Sequence, residues 1–314
     1  MELANSRKGR IRRASREDAG EIGRLLSVAT MRHLHSDWHL PVDWLGTPGF
    51  VVCERERADS IADGIADGIA DGTGASTADG AKELAACLAV GADPPPAAWV
   101  RVAAVKRRAD AERCLGEMLH LVLPWLRDSG VSILGWLDNG TWPEPWLARL
   151  GLRKVNGIIT YRLDLSTVEI TSRPFPAIRP ATAADMARLA EIERAAFDPL
   201  WRHSQHGLLM AFREAMSFDV AEVDGRIAGF QYSVAGQDSL SAHLVRLTVA
   251  PEAQGRGVGG GLLSAALLGY GRMGAEQVTL NTQADNHASH HLYERFGFQR
   301  LIGRADVWAL ALDK

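Results

Sequence analysis

Pro251-Glu252-Ala253-Gln254-Gly255-Arg256-Gly257-Val258-Gly259-Gly260-Gly261-Leu262-Leu263 decides how this chain is read. Upstream, His243-Leu244-Val245-Arg246-Leu247-Thr248-Val249 has the composition of a strand, and Pro251 ends it. Downstream, Leu262, Leu263, Ala266, Leu267 and Tyr270 recur at helical spacing. The order is strand, glycine-rich turn, helix. Glycine in a helix costs about 1 kcal/mol relative to alanine and needs a reason; close approach of a ligand to bare backbone supplies one. The N–H groups and positive dipole end of a first helical turn suit a phosphate, and Arg256 adds a charge-assisted contact. A plain turn is the bland alternative. No acidic residue at the end of a following strand makes this a dinucleotide fingerprint, and no Gly-Lys-Ser/Thr makes it a P-loop.

The pattern Gln254-x-x-Gly257-x-Gly259 resembles the acetyl-CoA signature of the GNAT superfamily of N-acetyltransferases. Asn286-x-x-Ser289-x-x-Leu292-Tyr293-x-x-x-Gly297-Phe298 is similar to that superfamily's second signature, with Ser289 where alanine is usual. Within the superfamily, the likeness looks closest to enzymes that acetylate protein N-termini. It implies an acyltransferase moving an acetyl group from acetyl-CoA to a primary amine by direct attack in a ternary complex. Leu247, Thr248 and Val249 would pair with the pantetheine amides, and Gln254, Gly255, Arg256, Gly257, Val258, Gly259 and Gly260 would hold the pyrophosphate. Asn286, Ser289 and Tyr293 would meet the coenzyme from the other side of a split sheet.

Acetyl transfer from a thioester needs a neutral amine, donors for the developing oxyanion and a proton for the departing thiolate. Amines with pKa of about 8 to 10.4 are largely cationic at pH 7, so a base and an acid are expected. The resemblance implies Tyr293 as the acid. A glutamate on the fifth strand would be the base in the most similar relatives, but Asn281 stands there, and an amide takes no proton. Histone-type members place a glutamate early on the fourth strand, where this chain has His243; an imidazole suits neutral pH. By the period of two, His243 shares a face with Val245, Leu247 and Val249. Glu222 is the second candidate base, His290 and His291 read as helix-surface residues, and His287 lies beside Asn286. A backbone N–H near Val249 is expected to meet the oxyanion. Trp201, Arg202 and His203 fall where relatives shape the acceptor pocket.

A repeat sets the domain organisation. Ile11-Arg12-Arg13-Ala14-Ser15-Arg16-Glu17-Asp18 returns as Ile178-Arg179-Pro180-Ala181-Thr182-Ala183-Ala184-Asp185, each a short strand before a helix capped by Ser15 or Thr182. Trp146 to Leu152 likewise parallels Leu292 to Phe298. The expected fold is α+β, two tandem GNAT-like units with mixed sheets flanked by helices: residues 1–165, a linker at 166–176 closed by prolines, and a catalytic unit at 177–314. Aligning Trp99 to Ala104 with Leu244 to Val249 sets Asp110, Glu112 and Cys114 against Gly255, Gly257 and Gly259, and Leu147 replaces Tyr293. Carboxylates would repel a pyrophosphate, so the first unit reads as degenerate and non-catalytic. Its job would be to wall the acceptor cleft, with Trp38, Trp44, Trp136, Trp142 and Trp146 offering apolar contacts or core. The threefold Ile-Ala-Asp-Gly repeat, Ile61 to Gly72, reads as a hairpin loop.

Composition sets the outer bounds. With 314 residues, 46% hydrophobic, 23% charged and a net charge of −3, the chain can bury cores in both units and offers no global basic field for nucleic acid. Cys53, Cys87 and Cys114 lie far apart and read as small core residues in a reducing compartment. No stretch reaches membrane-span length and no apolar leader follows Met1, so a cytoplasmic location is expected. No His/Cys/Asp cluster has metal-ligand spacing. The amine acceptor, small molecule or peptide, and the oligomeric state stay open at this point. The competing class is a non-catalytic acyl-CoA sensor or scaffold.

Overall fold

The computed structural model describes residues 9–35, 40–56, 82–140, 142–171, 175–236, 238 and 240–312. Trp38, the Ile61–Gly72 repeat and residues 172–174 of the linker lie outside them. The repeat seen in the sequence is a repeat in space. Strand β1 (Arg10–Arg13) precedes helix α1 (Ala19–Val28), and later β8 (Ala177–Pro180) precedes α4 (Met186–Ala196). Arg12 grips both carboxylate oxygens of Asp18 at 2.7 Å and Glu54 at 2.6 Å. Arg179 grips Asp185 at 2.9 and 3.0 Å and Glu222 at 2.7 Å. Each aspartate closes a capping box with Ser15 or Thr182, satisfying donors at the helix start.

The first half continues through β2 (Met31–Leu34), β3 (Phe50–Glu56), β4 (Lys82–Gly91), β5 (Ala97–Val105), α2 (Ala111–Asp128), β6 (Ile133–Asp138), α3 (Glu144–Leu147) and β7 (Arg153–Asp164). The second has α5 (Gln205–Glu214), β9 (Ser217–Val223), β10 (Arg226–Ala235), β11 (Ser241–Val249), α6 (Val258–Arg272), β12 (Gln277–Gln283), α7 (His287–Arg295), β13 (Gln299–Arg300) and β14 (Ala305–Ala311). In α2, Ala111, Cys114, Leu115, Met118, Leu119, Val122 and Leu126 form the buried stripe. The parallel pairs β5/β6 and β11/β12 are joined by crossover helices α2 and α6.

All described strands join one sheet, whose main path runs β1-β3-β4-β5-β6-β14-β7-β12-β11-β10-β9-β8. The centre of this order exchanges strands between halves. β7 pairs with β12, from Gln277↔Asp164 to Gln283↔Ile158. β14 pairs with β6, from Asp306↔Asp138 to Ala311↔Ile133, and also with β7. Each half thus covers the bare edge of the other's parallel pair, the edge a sheet must not leave open. The three cysteines are buried as expected, but two are not apart: the sulfurs of Cys53 on β3 and Cys114 on α2 lie 3.1 Å from each other. Among the described residues, no helix is long and apolar enough to cross a membrane, and no group of three or more His, Cys, Asp or Glu could hold a metal ion.

The arginine grips have a pH signature. Hydrogen bonds from Arg12 and Arg179, opposed by burial, hold Asp18 and Asp185 at about 2, down from 3.8. A depressed folded-state pKa stabilises above the unfolded value, and that contribution is lost as pH falls from about 3.8 through 2. Urea midpoints of the native chain should therefore drop steeply in that window. An Arg12→Gln/Arg179→Gln variant should be weaker at pH 6 and show a shallower drop; parallel curves would refute the coupling.

Candidate active site

The strands β11 and β12 run paired only from Ser241↔Gln277 to Leu244↔Leu280. Beyond that, β11 keeps β10 as its neighbour up to Val249, and β12 keeps β7 up to Gln283, but the ladder between them stops. The result is a V-shaped gap whose β11 edge offers backbone donors and acceptors to an extended ligand. A bulge lies where the gap opens: Tyr232 pairs with Arg246 and Ser233 with Leu244, leaving Val245 as the extra residue.

That bulge corrects the expected face of His243. Ser233 and Leu244 share one face, Tyr232 and Arg246 the other, so alternation resets at Val245. Ala242 and Leu244 pack with Leu263, Ala266 and Leu267 of α6. His243 therefore lies on the face of Arg246 and Thr248, opposite Leu247 and Val249. Its Nδ1 lies 2.8 Å from Thr279 Oγ1, and burial pushes its pKa down. Glu222 of β9, the other expected base, is held by Arg179 of β8 and lies two strands from β11.

The turn after β11 is left-handed at two of its glycines. Gln254 reaches back with Nε2 to the Val249 carbonyl at 3.2 Å. Gly255 and Gly257 have φ of +73° and +88°, and a Cβ on either would meet nothing within 4 Å. Left-handed backbone, not crowding, requires glycine here. The first backbone bond into the helix runs from Gly261 N to Gly257 O, so Val258, Gly259 and Gly260 present N–H groups with no intrahelical acceptor. Arg256 is exposed, 3.6 Å from Asp224.

Across the gap, Asn286 caps α7: its side-chain oxygen accepts from Ser289 N at 3.1 Å, while Nδ2 donates to Gln283 at 3.3 Å. Tyr293 is 5% exposed, with Tyr161 at 6.0 Å and Phe298 at 5.8 Å between ring centres. Burial pushes its phenol up to about 12, against a Ser289 hydrogen bond and the Arg246 charge. His290, expected on the helix surface, is partly buried, with Nδ1 2.9 Å from the Tyr161 hydroxyl. His291 is exposed as expected.

A cavity of about 240 Å³ opens beside the bulge, between the halves. Trp44, Trp99 and Arg101 wall it from the first half; Trp201, His203 and Arg246 wall it from the second, with Asn281 to Gln283 at its side. Trp99 donates to the Leu200 carbonyl at 2.9 Å and lies tilted against Trp201 with ring centres 5.7 Å apart, and Ser204 donates to Asp93 at 2.7 Å. Behind the wall, Glu193 is fully buried and accepts from Arg246, Thr248 and the His203 backbone. Burial would raise its pKa, but the Arg246 and His203 charges and these hydrogen bonds leave it lowered. The His203 Nδ1 lies 3.0 Å from the Tyr232 hydroxyl. Sequence reasoning missed this network. Its signal was Glu193 itself, seven residues after Met186 on the apolar stripe of α4.

The first half carries the same bulge, at Arg101 between Ala89↔Val102 and Val90↔Val100. Arg101 thus corresponds to Val245, one residue from the alignment expected. Helix α2 begins six residues after Val105, whereas α6 begins nine after Val249. The loop before α2 is therefore three residues shorter, and Asp110 and Glu112 hold the N-cap and second helical positions that Gly257 and Gly259 hold in α6. Leu147 does stand for Tyr293: Leu152 N bonds Leu147 O as Phe298 N bonds Tyr293 O.

A family model described as Acetyltransferase (GNAT) family matches residues 186–298. Mycothiol acetyltransferase of Tsukamurella paurometabola is 28% identical over 234 residues, 65% of this chain and 76% of that protein. An uncharacterized N-acetyltransferase of Methanocaldococcus jannaschii is 30% identical over 125 residues, 39% of this chain and 77% of that protein. A solved tandem GNAT protein from the clavulanic acid biosynthesis pathway shares the fold, with a TM-score of 0.56, 15% identity, and coverage of 98% of this chain and 99% of that one. By the family model and a relative matched over most of its length, this chain belongs to the GNAT acetyltransferase family and is an acyltransferase.

Proposed function

We propose that the chain transfers the acetyl group of acetyl-CoA to a primary amine of a small molecule, by direct attack in a ternary complex, with one coenzyme per chain. One observation carries this reading: the open edge of β11 runs from a glycine turn with free helical N–H groups to a cavity walled by Val245 and Arg246. Acetyl-CoA fits that path, with diphosphate at Gln254 to Gly260, pantetheine amides along Leu247, Thr248 and Val249, and the thioester beside the bulge. Asn286 and Ser289 fix the start of α7 and so the position of Tyr293. The coenzyme supplies an activated acetyl group; the chain supplies position and protons.

Tyr293, with its pKa raised to about 12, stays protonated at neutral pH and donates to the departing sulfur. A backbone N–H on the open edge of β11 meets the carbonyl oxygen as charge builds there. His203 takes the proton of the amine: unlike His243, it is on the cavity wall, and Tyr232 holds its Nδ1. Residues 177–314 carry the catalysis, while residues 1–165, without those glycines or the phenol, serve as the far wall of the acceptor cavity.

Thiol release measured with a panel of amines, namely glucosamine, spermidine and a short peptide, tests the reading. No release with any of them would overturn it. Gly257→Ala, which forces a side chain into left-handed backbone at roughly 1–2 kcal/mol, should weaken acetyl-CoA binding by about 5- to 30-fold in calorimetry. Tyr293→Phe should lower kcat by about two orders of magnitude at unchanged acetyl-CoA affinity; native turnover would reject the acid. His203→Gln should abolish the acidic limb of the kcat/KM profile, and a retained limb would return the base to another group.

A further inference from the structure

The acetyl-transfer reading leaves one reactive pair of side chains unused. Cys53, at a bulge in β3, and Cys114, in the first turn of α2, are 61 residues apart in sequence, yet their sulfurs lie 3.1 Å from each other. Arg113 brings its guanidinium to 3.5 Å from the Cys114 sulfur. Both thiols are fully buried, and Arg113 beside them is about a quarter exposed. Cys87, the third thiol, is buried in β4, and burial, against a backbone hydrogen bond at Ala104, pushes its pKa up to about 12.

We propose that Cys53 and Cys114 are an oxidisable dithiol, a modification site that hydrogen peroxide converts to a disulfide between β3 and α2. The burial of both sulfurs favours a small oxidant. The two sulfurs are also unequal. A hydrogen bond from Cys114, ahead of burial and helped by the Arg113 charge, lowers the pKa of Cys53, while that same bond raises Cys114. Cys53 is therefore the thiolate-prone attacker and Cys114 the resolving thiol, the pairing that marks redox-sensitive sites. The Cys53 thiolate attacks one peroxide oxygen, the O–O bond breaks and hydroxide leaves, giving a sulfenic acid. The Cys114 sulfur then attacks the sulfenic sulfur, the S–O bond breaks, and water leaves with the Cys114 proton. Two thiols lose two electrons and one peroxide becomes two waters. A sulfur separation of 3.1 Å asks for a further approach of about 1 Å to reach bond length.

The test is intact-protein and peptide mass spectrometry of the native chain after hydrogen peroxide, with free thiols alkylated under denaturing conditions. The expected result is a loss of two hydrogens, one alkylated thiol in place of three, a dithiothreitol-sensitive peptide joining positions 53 and 114, and no adduct with oxidised glutathione. Cys87→Ser should leave this unchanged, and Cys53→Ser should abolish it. Cys114→Ser should stop at a Cys53 sulfenic acid that dimedone traps. Three alkylated thiols after methionines have oxidised, a link through Cys87, or dimedone labelling at Cys114 but not Cys53 would each overturn the assignment. Every readout is independent of acetyl transfer, so the dithiol stands or falls apart from the catalytic reading.

Discussion

A parallel strand pair made by a helical crossover leaves one strand with a bare edge, and that edge is the constraint on which this molecule is built. β6 and β12 are those strands, one in each half. Their unpaired N–H and C=O groups would be costly if buried and adhesive if exposed. The chain resolves both edges at once by laying β14 against β6 and β7 against β12, and pairing β14 with β7 between them. Two repeats thereby become one sheet that cannot be cut at the linker without leaving two edges open. The cavity between the halves sits over this seam: Leu137 of β6, Ile158 of β7 and Asn281 to Gln283 of β12 all line it.

Local order was legible in the sequence because local rules produce it. The stripe of α6, the Arg-Ser/Thr-Asp repeat and the glycine turn follow from helical period, capping chemistry and left-handed backbone within a dozen residues. What escaped was set by pairing. Strand exchange depends on which edges meet across more than a hundred residues. A single bulge at Val245 reverses the faces of everything beyond it, which moved His243 away from Leu247 and Val249. The same bulge in β5 shifted the comparison of halves by one residue and hid the shortened loop before α2. Arg179 holds Glu222 across two strands that are far apart in sequence, and Cys53 and Cys114 become neighbours only through the packing of β3 against α2.

The buried Glu193–Arg246 pair raises the question of what it is for, because a buried ion pair is weak evidence of stability. The duplicated fold contains its own control. The Arg12 and Arg179 grips put Leu26 of α1 at the place of Glu193, and the matched bulges put Val102 and Ala104 at the places of Arg246 and Thr248. Leu26, Val102 and Ala104 all belong to one apolar cluster. The same helix therefore packs on the same strand with no charge at all. Folding does not require the ion pair, and an apolar set of similar volume is commonly as stable or more so. What the second half gains is geometry. Arg246 also donates to the Trp201 carbonyl, and Glu193 accepts from the His203 backbone, so helix, bulge and cavity wall are tied into one arrangement. The polar network belongs to the half that has the glycine turn and the phenol, which is where a fixed wall matters to chemistry.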